Sequence, residues 1–171
     1  MDIVMIVLRL VHIFAGILWA GSGFFLLLVL MPAMEAMGQE GARFRQGFIV
    51  KSRFTTVMPI ASLLTTLAGI ILFVRVSDHF NSDWLSSDGG IVLSIGSLAG
   101  LLAFGHGTST TRPTFKKSAA LLKAIQAQGN PPTEAQIAEL QALGRESVRQ
   151  GRISVLLLIV AIVGMSAARY M

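Results

Sequence analysis

The stretch IVMIVLRLVHIFAGILWAGSGFFLLLVLMP, residues 3–32, decides the fold. Only Arg9 and His12 interrupt its apolar run. A helix needs about 20 predominantly apolar residues to cross the hydrocarbon of a bilayer, and this stretch exceeds that. It has no basic leading region, its run is too long for a secretory leader, and no small-residue cleavage site follows, so it is expected to stay as the first span. Three further stretches qualify. Phe54–Val76 is uncharged until Arg75, Gly90–Thr111 contains His106, and Ile153–Tyr170 ends around Arg169. Lipid offers no partners for backbone N–H and C=O groups, so all four are read as helices.

Composition agrees with this reading. Of 171 residues, 53% are hydrophobic and 13% charged, about half the charged share of an ordinary soluble domain. That excludes soluble enzyme folds, collagen and disordered tails. There is no cysteine, which removes disulfides, thiolate metal sites, iron–sulfur clusters and a cysteine nucleophile. The net charge of +5 bears on membrane orientation and does not point to nucleic acid.

The connections differ sharply in charge. Residues 33–53 hold Arg43, Arg45, Lys51 and Arg53, and residues 112–152 hold Arg112, Lys116, Lys117, Lys123, Arg145, Arg149 and Arg152. Those two segments carry all but three of the basic residues. Residues 77–89 hold none, and carry Asp78, Asp83 and Asp88 instead. The positive-inside rule then puts the two basic loops in the cytoplasm and both termini outside a bacterial plasma membrane. The expected fold is a single all-α membrane domain, residues 1–171: an antiparallel bundle of four transmembrane helices, with a cytoplasmic helical hairpin at about 114–150 between the third and fourth spans.

In that hairpin, Phe115, Ala119, Leu122 and Ile125 recur at helical spacing. Gly129-Asn130-Pro131-Pro132 breaks the pattern. Thr133-Glu134-Ala135-Gln136 has the form of a capping box that starts a second helix. The hairpin either extends the two spans or offers a docking surface. In the first loop a short amphipathic helix is expected, with Phe44 and Phe48 on one face and Arg43 and Arg45 suited to anionic headgroups. Small residues recur every four positions: Gly16 and Ala20, then Ala61, Thr65 and Gly69, then Gly96 and Gly100. Such spacing permits close helix approach in lipid. Besides the lipid bilayer, the expected partners are a second copy of the chain or a larger membrane complex.

No Asp, Glu or Lys lies inside a span, and no nucleotide or metalloprotease motif is present. No catalytic residue is identified, and whether the chain is an enzyme stays open. An ionisable residue inside a span marks a functional site by default, which singles out two histidines. His12 lies about nine residues, ~14 Å, into the first span, with Arg9 one turn away on the same face. A neutral imidazole ligates haem and metals, or it donates to a carbonyl or hydroxyl of a neighbouring helix. His106, between Gly105 and Gly107, lies deeper, at ~24 Å, where Thr108 to Thr111 can satisfy its ring. His79 is in the acidic loop, as a solvated residue or a weak copper ligand. Arg9, Arg75 and Arg169 fall near outer helix ends, where they bind lipid phosphates or neutralise haem propionates. The eight Met show no tight cluster and read as filler.

Leu8-Arg9-Leu10-Val11-His12, Ile17-Leu18-Trp19-Ala20-Gly21 and Leu30-Met31-Pro32-Ala33 resemble the first span of small CopD-like bacterial membrane proteins and of integral membrane proteins of unknown function. Arg53-Phe54, Leu67-Ala68-Gly69 and Met165-Ser166-Ala167-Ala168-Arg169-Tyr170 look like the latter group too. The spacing from His12 to Trp19 and Gly21 is also similar to the membrane protoporphyrinogen oxidase family called HemJ, which uses a first-helix His for haem and a Lys in a later span. Only the His carries over, onto His12. The HemJ likeness implies b-type haem held by His12, and the residue reading adds His106, Arg9, Arg75 and Arg169 as further cofactor contacts, or copper at His12 and His79. The expected function is redox chemistry or electron transfer by a haem-binding membrane protein. The alternatives are a non-catalytic accessory or assembly subunit, and copper uptake or tolerance.

Overall fold

A computed structural model describes residues 2–171. The first helix starts at a side-chain cap: Asp2 Oδ1 accepts from the Val4 and Met5 amides at 3.0 and 3.4 Å. The elements are α1 (Ile3–Phe25), α2 (Met31–Ala36), α3 (Gln39–Lys51), α4 (Phe54–Val76), α5 (Ser82–Leu85), α6 (Asp88–His106), α7 (Arg112–Ala127) and α8 (Glu134–Ala167). Single π-helical turns, Leu26–Leu30 and Gly107–Thr111, join α1 to α2 and α6 to α7, and a 3₁₀ turn, Ala168–Tyr170, ends the chain. No strand occurs among the described residues.

Four continuous helical stretches are long and apolar enough to cross a bilayer: Ile3–Ala36, Phe54–Val76, Asp88–Ala127 and Glu134–Tyr170. The chain is an all-helical, multi-pass membrane protein. The third stretch has 40 residues, about 60 Å of helix against ~30 Å of hydrocarbon. The third and fourth stretches are therefore longer than one crossing requires. The break and the cap between α7 and α8 are the ones the sequence pattern predicts. Gly129 takes a φ of +68°, open to glycine without strain. Thr133 Oγ1 then accepts from the Gln136 amide at 3.2 Å while Gln136 Oε1 accepts from the Thr133 amide at 2.9 Å, a closed capping box.

Both π-helical turns end two residues before a proline, Pro32 and Pro113. Proline has no N–H to give and its ring crowds the carbonyl four residues back. A wider turn just upstream absorbs that crowding without ending the helix. In the second turn, hydroxyls take up the loosened carbonyls: Thr108 donates to Phe104 and Gly105, Ser109 to Gly105 and Thr110 to His106, at 2.7–3.0 Å.

Two helix pairs carry the packing. The largest interfaces are α6 with α8 and α1 with α4, and contact between the pairs is thinner. The pairs meet where Ala20, Ala103 and Leu158 bury one another beside Trp19, Phe24 and Leu157. Within the second pair two glycines oppose each other. A Cβ on Gly164 would lie 2.8 Å from Gly96 Cα, and one on Gly96 would lie 2.9 Å from the Met165 amide nitrogen. Backbones here touch directly, so Gly96 is spent on a contact inside the chain. At the basic end α3 closes over α7 through a run of rings: Phe44 on Phe48 (centroids 6.4 Å apart), Phe48 on Phe54 (5.3 Å) and Phe54 on Phe115 (6.0 Å).

Candidate functional site

His12 projects from the middle of α1 onto α4. Its Nδ1 lies 2.7 Å from the Thr65 carbonyl oxygen. A carbonyl only accepts, so Nδ1 carries the proton and donates, and in the neutral imidazole Nε2 is then the unprotonated nitrogen. The link is reciprocal, because the Thr65 hydroxyl donates back to the His12 carbonyl at 2.8 Å. Two small residues make room for it. A Cβ on Gly69 would lie 2.8 Å from His12 Cε1, and one on Gly16 would lie 3.2 Å from Thr65 Oγ1. The spacing of Gly16, Thr65 and Gly69 thus seats one imidazole between two helices. The room at Gly16 holds the Thr65 side chain. Nε2 makes no hydrogen bond among the described residues, on a ring that is half-buried.

His106 belongs to the other helix pair. Its Nδ1 lies 3.1 Å from Ser154 Oγ on α8. The sequence offers Thr108 to Thr111 as partners of that ring, but Thr108, Ser109 and Thr110 bond helix carbonyls instead. One turn further on, buried Gln150 of α8 donates to Thr114 Oγ1 of α7 at 3.1 Å and to Glu146 at 2.8 Å. Hydrogen bonds from Arg149, first, and Gln150 hold the Glu146 carboxyl below its usual range, and the same pairing raises Arg149.

His79 sits in a run of positive φ, Asp78, His79 and Phe80, with its Nδ1 3.8 Å from Asp78 Oδ1. Its side chain is exposed, while Phe80 and Trp84 cover Phe73 from the same segment. Arg9, Arg75 and Arg169 are all exposed, and Arg169 stands 5.3 Å over the Tyr170 ring. The three histidines are therefore distributed over three places: the α1–α4 joint, the α6–α8 joint and the acidic loop. Among the described residues no three of His, Cys, Asp and Glu gather as a metal-binding group.

One further feature lies at the basic end. A small cavity of about 70 Å³ opens between the α1–α2 turn, α3, α7 and α8. Apolar Leu26, Phe48, Phe115, Leu122 and Leu140 line it, with Arg45 among its polar residues. The Arg45 guanidinium rests over Gly144, where a Cβ would come within 3.1 Å of it. Arg45 stood out in the sequence only as one of several basic residues near headgroups. Its distinction depends on its reach from α3 to Gly144 of α8, a relation that no local pattern carries.

No protein family, curated protein or solved structure compared with this chain matches it.

Proposed function

We propose that the chain is a b-type haem-binding protein of the bacterial plasma membrane, serving electron transfer or redox chemistry, with His12 as the axial ligand. The observation that carries this reading is the state of the His12 ring: Nδ1–H is tied to the Thr65 carbonyl, which leaves Nε2 as a free lone pair inside an apolar span. Ligating histidines are characteristically oriented in this way, the second ring nitrogen donating to a carbonyl or carboxylate. A bare acceptor in hydrocarbon is costly, and an iron would satisfy it. The residues fit a site with one protein ligand, because His79 and His106 serve other parts of the fold. Thr65 and Gly69 orient the imidazole, and Arg9, one turn away, would meet a propionate. Bound haem supplies one-electron transfer. The likeness of the His12–Trp19–Gly21 spacing to the HemJ-type family supports the same reading.

In this reading the four helices run antiparallel, with both termini outside and the basic helical hairpin in the cytoplasm. The partner order along the second pair supports the opposed direction: Gly89 meets Ala168, Gly96 meets Gly164, His106 meets Ser154 and Thr114 meets Gln150. The charge asymmetry of the connections supports the orientation.

A second reading has its own observation. The reciprocal His12–Thr65 link joins two helices without any cofactor, which suits a non-catalytic accessory or assembly subunit, alone as a dimer or within a larger complex. Copper handling rests on the resemblance alone. The deciding measurement is the visible spectrum of protein purified from haem-replete cells, with pyridine extraction. The expected result is a Soret band that His12→Ala removes and His106→Ala retains, with both variants monodisperse. A colourless wild-type protein overturns the haem reading and leaves the accessory subunit.

A further inference from the structure

We propose that the basic end of the bundle holds one anionic phospholipid, its phosphate on Arg45 and an acyl chain in the apolar recess beside it. The site has three parts. The first is Arg45 itself. It is half-buried on α3, its guanidinium lies over Gly144 of α8, and it makes no salt bridge or hydrogen bond among the described residues. A positive charge held against a helix and left without a counter-charge is set to receive an anion, and guanidinium matches a phosphate in a bidentate manner.

The second part is the cavity below it, with Leu26, Phe48, Phe115 and Leu122 in its walls. The third is an open groove of about 460 Å³ along α1, lined from Ile17 through Phe25 to Leu30 and by Phe54 of α4. Leu26 and Phe48 line both recesses, so the groove adjoins the cavity that Arg45 lines. The groove lies on the apolar first span, where Ile17 and Phe25 are 64% and 55% exposed, so it opens to lipid. The occupant must then enter sideways from the bilayer and carry an apolar tail and an anionic head, which is the chemistry of a phospholipid. The π-helical turn Leu26–Leu30 falls where groove and cavity meet, and such turns recur at functional sites. Lys51, Arg53, Lys116 and Lys117 at the same end raise the local concentration of anionic headgroups. The inference is independent of what His12 binds.

The test is native mass spectrometry of the full chain in mild detergent, with phosphatidylglycerol and phosphatidylethanolamine supplied at equal concentration. Wild-type protein should retain one phosphatidylglycerol in preference to phosphatidylethanolamine. Arg45→Gln should lower that occupancy about tenfold, the loss expected on removing a hydrogen bond to a charged group. Arg43→Gln, an exposed change of the same charge two residues away, should lower it less than about twofold, as expected for a weakly coupled surface charge. Equal retention of the two lipids overturns the proposal. So does an equal effect of the two substitutions, which would reduce the site to diffuse attraction between a basic surface and anionic lipid.

Discussion

Gly164→Ala tests the α6–α8 contact in isolation. The added methyl would stand 2.8 Å from Gly96 Cα and 3.0 Å from both the Gly96 nitrogen and the Val92 carbonyl oxygen. All three are backbone atoms of the opposing helix, so no side chain can rotate away and the helices must part. Overpacking of this kind costs typically about 1–3 kcal/mol, against which alanine returns up to about 1 kcal/mol of helix propensity. Gly100→Ala supplies the reference. Its methyl would meet Met165 Cε at 3.6 Å and Ala161 Cβ at 3.8 Å, ordinary contacts, and it brings the same propensity gain. The difference between the two variants is therefore the steric term alone. Thermal unfolding in mild detergent should place Gly164→Ala roughly 2–12 °C below Gly100→Ala, at about 2–4 °C per kcal/mol for a chain of this size. Adding Gly96→Ala to Gly164→Ala should cost less than the sum of the two, since the first methyl already separates the backbones. Equal melting points for Gly164→Ala and Gly100→Ala would refute the direct backbone contact.

Three further outcomes are expected. Gly69→Ala would set a methyl 2.8 Å from His12 Cε1 and push the ring off its seat, so the Soret band should weaken while His106→Ala leaves it intact; an unchanged band argues against His12 as ligand. Thr65→Val removes the hydroxyl bond to the His12 carbonyl and keeps the carbonyl that holds Nδ1, so unfolding in detergent should show a loss of about 0.5–1.5 kcal/mol with little spectral change, and an effect several times larger would mean that the hydroxyl orients the ring. The Glu146 carboxyl is held below its ordinary 4.5 by Arg149 and Gln150, so its stabilisation is present above that value and is lost as pH falls through the lowered one; melting curves across acid pH should converge on those of Glu146→Gln, and parallel curves would show that the pairing adds nothing.

The four apolar stretches were legible because lipid imposes a length and a composition that any span must meet. The capping box at Thr133 and Gln136 and the break at Gly129 were legible because they are made of neighbours in sequence. So was the short helix bearing Phe44 and Phe48, whose rings stack as spacing suggests. Contacts between helices were not readable in the same way. Thr65 stood in the sequence only in a row of small residues, and only the register of α1 against α4 sets it and its carbonyl against His12. Ser154 lies 48 residues from His106, and the Gly96–Gly164 contact joins one glycine of a visible motif to one of the three glycines in α8. The π-helical turns had a readable cue in Pro32 and Pro113, but whether a proline ends a helix or widens one turn of it depends on what packs around it.

The grouping of the helices into two pairs bears on how the chain is made. Residues 3–76 form the first pair and residues 88–170 the second, and each pair's main interface lies within its own stretch of sequence. Synthesis runs from the N-terminus and local units form first, so α1 and α4 can lock through His12 and Thr65 before α8 has left the ribosome. Each half carries its own helix-to-helix polar links, His12 with Thr65 and His106 with Ser154, so the halves can dock along Ala20, Ala103 and Leu158. A chain divided within residues 78–87 and produced as two pieces retains every contact needed for that docking, so the seam between the pairs is the natural place to split the protein.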